Sequence, residues 1–491
     1  MRRINAALLF AAVGTAFSQS NDSAQIQAST RQIAEDHQAL IATQEKLDAL
    51  DGQVKILQRL REIDKEDAAA AAVAAPKIQA EAGGIWIRSA DSSFGFRPRG
   101  IVRTGANWDL DDKNNVTTDL FQLQTARLGS DVVLGKVVEG RVLLDISKGN
   151  SAALQDGYFD LKLAPWAVVR TGKFQTPLGW ERSLSSSDLL FYDRALPSQI
   201  APNRDVGFQL SGTVGKGVFE YAFGVFDGGT DGSNIDKDVN DDKDLYARVV
   251  LAPAKNSGET WLEGLSLGIA GSGGNHTNIA PSSYKTTSGN TFFSWNSTDS
   301  LGGTGWRIAP QLSWTASSYA LWGEWIGSRE VVFRGAATTF TTDSVSKSVV
   351  YGTAKKTTAL GGKAFFTQAW QGGLSWVVTG EDASFSGVKP RHPFGKDGWG
   401  ALELAARVSQ LVADENAFHG ASYADSTKSA KEALSFGAAV NWHLVKGTRL
   451  QAGYERTQFS DGAVVDPTAK VKVVRDRKPE NQLFVVASTS F

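Results

Sequence analysis

Downstream of Gly83 the chain alternates apolar and polar residues in short runs, broken by clusters of Gly, Ser, Thr, Asn and Asp. A period of two is the signature of a strand with one wet face and one apolar face. The pattern predicts sixteen strands, at 94–109, 120–133, 137–148, 154–163, 167–175, 205–213, 217–226, 244–252, 262–272, 305–314, 318–329, 364–380, 398–411, 432–443, 448–459 and 480–491. Several have the ~9 to 11 residues that a tilted strand needs to cross a bilayer. Connections are tight after many even-numbered strands, as at 134–136, 164–166, 214–216, 315–317 and 444–447, and long after most odd-numbered ones, as at 176–204, 273–304 and 330–363. Short turns at one end and long loops at the other are the asymmetry of an outer-membrane barrel. The connections 253–261 and 381–397 break that pattern, and the link after the third strand is brief. A soluble propeller or large sandwich is the competing all-β fold. The last strand favours the barrel, because it sets Leu483, Val485, Ala487 and the final Phe491 on one face.

Upstream the period changes. Ile26, Ile33, Leu40, Leu47 and Val54 recur every seventh position, a coiled-coil pattern, with Leu50 and Leu57 on a second seam. Asp36 and Thr43 weaken that second seam, so the helix is expected to associate only beside a larger trimeric body. A lone amphipathic helix lying on the barrel or on a wall component is the alternative. Residues 67–82 are Ala-rich and read as a linker. Arg2 and Arg3 followed by the apolar run Ala6–Phe17 read as a signal peptide. The expected organisation is therefore a signal peptide over 1–20, a periplasmic coiled coil over 23–66, the linker, and a transmembrane barrel over 83–491. Its expected location is the outer membrane.

Composition narrows the function. The chain has no Cys, which excludes a disulfide framework, an iron–sulfur cluster and a zinc–thiolate site. A net charge of −1 argues against a nucleic-acid partner. No apolar segment reaches the ~18 to 20 residues of a spanning helix, so only strands can cross. The five His, at 37, 276, 392, 419 and 443, show no ligand spacing. Asp236, Asp238, Asn240 and Asp242 lack the Gly and closing Glu of a calcium loop. No metal or cofactor is expected. No nucleophile elbow or phosphate-binding loop is present, so the chain reads as a non-enzyme, with an outer-membrane phospholipase or protease as the alternative from another class.

Lipid cannot solvate a guanidinium near the midplane, where it costs ~2 to 4 kcal/mol. Arg97, Arg99, Arg103 and Asn107, which share one parity, are therefore expected to face inward, as are Glu139, Arg141 and Asp145. In the fifth strand Thr171, Lys173 and Gln175 are assigned inward, and Arg170 outward near the periplasmic end, where it can snorkel. A charged lumen holds water and makes a channel. Residues 1–82 carry 9 Lys+Arg and 11 Asp+Glu of the chain's 51 and 52, leaving 42 against 41 for the barrel. An anion preference must then come from local placement.

Two blocks resemble the phosphate-selective porins O and P. The first is AVVRTGKFQTPLGWE (167–181) with FYDRAL (191–196) and PNRDVGF (202–208); the second is WVVTGEDASF (376–385), KPRHPF (389–394) and GWGALELAARVSQL (398–411). The segment TAR (125–127) departs from the family's Arg-Arg-x-Arg strand. The resemblance implies a sixteen-stranded antiparallel barrel assembled as a homotrimer, passing phosphate, polyphosphate or other small anions. It also implies that loop 176–204 folds inward to narrow the pore. On that basis Lys173, Arg194 and Arg204 are the expected anion contacts, with Arg97, Arg99, Arg103, Arg127 and Arg141 on the walls, since forked Arg donors suit phosphate oxygens. Glu181, Asp188, Asp193 and Asp205 oppose them. A general, non-selective porin is the alternative. Outer-membrane lipid and lipopolysaccharide are the expected surroundings.

Overall fold

The computed structural model describes residues 22–81, 84–110, 119–147, 149, 151–236, 240–335, 337–339, 355–357, 360–395, 398–419, 423–465 and 474–491. The signal peptide expected over 1–20 lies outside them. The chain divides into two units at Ala75/Pro76, each described by itself.

The first unit contains helix α1, Asp22–Ala74. It is Pro-free and, at 1.5 Å per residue, about 80 Å long. The Ala-rich stretch expected to be a linker continues the helix to Ala74, because Ala carries the highest helix propensity. Pro76, which has no N–H to donate, follows its end. Ile26, Ile33, Leu40, Leu47 and Val54 are all 44–68% exposed, so among the described residues of this unit nothing covers the seven-residue seam.

The second unit is a closed antiparallel barrel of sixteen strands: β1 Phe94–Asp109, β2 Leu120–Leu134, β3 Val138–Asp145, β4 Ala153–Ala164, β5 Ala167–Gln175, β6 Arg204–Val214, β7 Phe219–Phe226, β8 Asp244–Leu251, β9 Ser266–Ile279, β10 Asp299–Ala316, β11 Tyr319–Arg334, β12 Leu360–Val377, β13 Ala401–Val412, β14 Ala430–Val445, β15 Thr448–Val465 and β16 Glu480–Ser490. Each pairs with its sequence neighbour, and β16 closes on β1 from Gln482↔Asp109 to Ser490↔Ile101. Phe491 completes the seam by exchanging two backbone hydrogen bonds with Gly100, at 3.0 and 3.1 Å. Its ring lies over Gly100, where a Cβ would stand 2.2 Å from the ring. Strands β9 to β11 extend beyond their expected ends on the long-loop side, because their pairing continues there, as Asp299↔Arg334 shows. Ahead of β1, Lys77–Glu81 and Gly84–Arg88 form a hairpin that pairs onto β1 through Ile87↔Phe96.

Outward residues are apolar and exposed, as Phe159, Leu163, Phe208 and Phe223 show. Inward residues on β1 to β4 are charged, with Arg97, Arg99, Arg141, Asp145 and Asp160 on that face. Strand β5 reverses its expected orientation. Arg170 stands directly opposite Asp160 and hydrogen-bonds it at 2.6 and 2.8 Å, on the inward face. Thr171 and Lys173 take the other parity, opposite Phe159 and Gly157 on β4 and opposite Phe208 and Val206 on β6. The reason is packing. Phe174 is wholly buried in the lumen against Phe226 and Tyr158, and this sets the phase of the strand.

The lumen is filled on one side. Leu178, Leu196 and Ile200 of loop 176–203, Tyr284, Phe292 and Phe293 of loop 280–298, and Tyr423 of loop 413–429 join Phe226, Ile326 and Phe365 of the wall in one buried cluster. The connection 378–400, one of the two exceptions on the short-turn side, also turns inward. Its Phe385 ring packs edge-on against Trp180 at 4.9 Å and Trp322 at 6.0 Å. Loops thus enter from both ends, and the β1–β6 wall keeps the charged surface. Phe293 has no exposure and touches Tyr284, Trp295 and Phe418. Phe293→Ala is expected to cost about 3–5 kcal/mol, read as a lower denaturant midpoint of the detergent-solubilised barrel.

Candidate functional site

Loop 176–203 is built as a rigid insert. Gly179, at φ +86°, turns the chain into a short helix, α2 Trp180–Ser183. Two 3₁₀ turns follow, Ser186–Asp188, capped by the Ser185 hydroxyl, and Leu196–Ile200. Side chains on the barrel wall hold the loop along most of its length. The Glu324 carboxylate accepts from the N–H of Trp180 at 2.7 Å and of Glu181 at 3.4 Å. Arg407 donates to Glu181 at 3.3 Å and to Glu455 at 3.1 Å, with its guanidinium 4.2 Å above the Phe191 ring. Arg103 donates to Phe191 O at 2.7 Å, Asn441 to Leu190 O at 3.3 Å, and Arg449 and Gln451 to Leu189 O. Loop carbonyls that would otherwise lie unpaired in the lumen are met by wall donors.

The loop and the β1–β6 wall carry an arginine cluster. Asp131 is shared by three guanidinium groups, those of Arg97, Arg99 at 3.1 Å and Arg141 at 2.7 Å. Arg127 pairs with Asp145 at 2.9 Å and reaches Ser186 of the loop at 3.4 Å. Arg204 pairs with Asp156 at 2.8 Å. Arg194 differs: its Nε donates to Glu181 O at 3.3 Å and its Nη2 to Leu184 O at 2.6 Å, both backbone carbonyls. Burial holds its proton affinity below the ordinary range; Asp193 and Glu181 oppose this, and Arg204 and Arg127 add to it. Burial, with the charge of Arg194 adding to it, pushes Arg182, whose guanidinium donates to Ser198 O, down to about 9. These loop arginines sense one another and Arg204, which places them in one neighbourhood. Backbone carbonyls hold their guanidinium groups, and Asp193 and Glu181 offset part of the charge of Arg194.

The structure brings Arg127, Arg194 and Arg204 together, with Arg103 beneath the loop and Arg97, Arg99 and Arg141 further along the wall. Lys173 stands apart. Its Nζ is capped by Leu154 O at 2.7 Å and by Asp236 of loop 227–243, on the parity of the exposed apolar face. Two arginines outside the expected anion contacts belong here as well: Arg170, assigned outward from alternation, stacks 3.9 Å over Tyr158 on the inward wall, and Arg182, one of the mixed charges of the loop, lies on α2. The alternation Asp160–Arg170 across the β4–β5 turn was the signal available for the first. Of the opposing acids, Glu181 is held by Arg407, Gln371 and the Ala195 N–H. Asp205 accepts from the N–H of Val206 and Gly228. Asp193 alone of the four is exposed beside Arg194. Among the described residues no group of His, Asp and Glu could hold a metal ion.

A closed antiparallel barrel with an apolar outer wall, a charged lumen and an inserted loop is an outer-membrane channel of the porin class. The profile of the phosphate-selective porin O and P family matches residues 99–454, and the chain belongs to that family. No curated protein matches it. Similar solved structures include OmpT of Vibrio cholerae in a trimer form (9% identity, 81% of this chain and 100% of that one, TM-score 0.47), the channel DcaP of Acinetobacter baumannii (13%, 82% and 99%, 0.48) and an anion-selective porin from Comamonas acidovorans (13%, 81% and 100%, 0.47).

Arg407→Gln would leave Glu181 and Glu455 buried without their cation, at a cost of about 3–5 kcal/mol. The expected result is a lower temperature of the heat-modifiable gel shift and noisier single-channel current, as the loop loses its anchor.

Proposed function

We propose that this porin passes small anions, phosphate or polyphosphate among them, by passive diffusion past the arginine cluster at loop 176–203. The observation that carries this reading is Arg194 of loop 176–203, whose guanidinium donates to two backbone carbonyls and lies near Arg127, Arg182 and Arg204, with Asp193 and Glu181 offsetting part of its charge. A charge held by neutral carbonyls keeps its field, whereas one paired with a carboxylate loses most of it. The sharing of Asp131 among three guanidinium groups extends the positive surface along the wall. Diffusion needs no catalytic group, and lipid or peptide hydrolysis by the purified barrel would speak for the enzyme alternative.

Planar-bilayer reversal potentials in asymmetric chloride and phosphate test the preference. Arg194→Glu is expected to move the reversal potential toward cations and to weaken block of chloride current by phosphate. Lys173→Glu is expected to leave both nearly unchanged, since Lys173 is buried on Leu154 O and Asp236 with the strand parity opposite to that of Arg170. A wild type without anion preference, unaltered in Arg194→Glu, would establish the general-porin reading.

In the same reading the exposed apolar wall meets outer-membrane lipid and lipopolysaccharide, and α1 is a periplasmic coiled coil shared by three copies. The uncovered seven-residue seam supports this, because apolar stripes of that length are stable in water only when paired. Deleting residues 23–66 is expected to leave a trimeric, conducting pore by native gel and bilayer recording. Full-length protein that runs as a monomer in mild detergent would refute the assembly.

A further inference from the structure

Ala247 on β8 and Gly271 on β9 interrupt the outward apolar face with side chains too small to fill it. Register places them in one row, Phe223↔Ala247↔Gly271↔Ile308, across β7 to β10. Phe208 and Phe223 rise on one side of them and Trp306 and Ile308 on the other, all exposed, and the groove between has a volume of about 940 Å³. A Cβ at Gly271 would meet only Arg307 O, at 3.2 Å, so the space in front of this glycine is open. The groove is broad. Four strands spaced about 4.8 Å apart span roughly 14 Å, more than one extended hydrocarbon chain needs.

A cation stands at the long-loop rim of this groove. Arg329 on β11 lies opposite Trp306 on β10 and Phe366 on β12, while Ile326 and Ser328, of the other parity, are buried. Its Nη1 donates to Thr304 O at 2.9 Å, and among the described residues it meets no carboxylate. Its depth follows from the strand. Tyr319 and Trp376, whose rings stack at 6.1 Å, mark the short-turn end of β11 and β12. From 319 to 329 is ten residues; at about 3.3 Å each and a tilt of about 40° that is roughly 25 Å, the height of the apolar band of such a barrel. Arg329 therefore stands at the far boundary of the hydrocarbon, where a guanidinium costs little and can reach headgroups. Lys243, exposed just before β8, lies at the same end and reaches Asp227 at 3.9 Å, so the two cations bracket β9 and β10.

We propose that this groove is a seat for lipopolysaccharide, with acyl chains of its lipid A over Ala247 and Gly271 and a phosphate on Arg329. Hydrocarbon chains fill the space that the short side chains leave. Phosphate oxygens match the forked donors of a guanidinium that no carboxylate occupies. Long loops of such barrels face the outside, so the rim that carries Arg329 belongs to the outer leaflet, where this glycolipid resides. A groove four strands wide suits a lipid with several chains better than the pair of a phospholipid. The proposal rests on the lipid-facing reading of the wall given above and adds to it a defined site.

Native mass spectrometry of the full-length protein in mild detergent, titrated with diphosphoryl lipid A, its dephosphorylated form and phosphatidylglycerol, tests the site. Wild type is expected to bind the diphosphoryl form tighter than the dephosphorylated one by roughly tenfold, the worth of a charge-assisted hydrogen bond. Arg329→Gln is expected to remove that difference. Ala247→Phe, which fills the groove, is expected to weaken both forms alike. Both variants change outward side chains, and the heat-modifiable gel shift checks that each folds. Equal binding of the two forms by the wild type, or an undiminished preference in Arg329→Gln, would overturn the assignment, as would phosphatidylglycerol bound as tightly as lipid A. A barrel that conducts in planar bilayers yet retains no lipid A would overturn the site and leave the channel standing. Recovery of the protein from the soluble periplasmic fraction would overturn the lipid-facing wall and the site with it.

Discussion

Hydrocarbon offers no partner to a backbone N–H or C=O, and a strand that enters it must find all of its hydrogen bonds in its neighbours. In this chain that requirement is met by the seam between β16 and β1, carried to the final residue by the exchange between Phe491 and Gly100. Everything else follows from closure. A closed sheet has one face in lipid and one in water, so the period-two pattern must sort apolar residues outward and charged residues inward. The ring of Phe491 over Gly100 shows how closely the last residue is fitted to the first strand, since any side chain at 100 would occupy the space of that ring.

Closure leaves a lumen too wide for its own side chains to fill, and loops entering from both ends fill part of it. The packing is asymmetric. Aromatic and aliphatic residues from loops 176–203, 280–298 and 413–429 pack against β7 to β15, and Phe385 wedges in from the opposite end. The wall of β1 to β6 keeps its arginines. On that surface Asp131 answers three guanidinium groups, and Arg194 donates to two backbone carbonyls with Asp193 and Glu181 close enough to offset part of its charge. The wall anchors serve the loop more than the solute. Arg407, Arg103 and Arg449 are arginines of the lumen, yet their hydrogen bonds hold loop 176–203 in place.

Much of this was present in the sequence. Alternation located all sixteen strands, because burial on a two-sided sheet is decided residue by residue and needs no knowledge of partners. The seven-residue period of Ile26–Val54 marked the helix for the same reason, and the lengths of the connections separated the two ends of the barrel. The inward parity of Arg97, Arg99, Arg103 and Arg141 followed from the cost of a guanidinium in lipid. What the sequence could not determine was anything that depends on contacts between distant segments. Lys173 and Arg170 are three residues apart, and alternation alone allowed either phase; Phe174, packed against Phe226 fifty-two residues away, chose it. The Ala-rich stretch before Pro76 was read by composition as a linker, although its intrinsic propensity favours helix. Which lumenal arginines meet a carboxylate and which meet carbonyls was decided only when tertiary structure set Arg407 against Glu181 and left Arg194 on the carbonyls of Glu181 and Leu184, because a charge acts through its neighbours and many of those lie far along the chain.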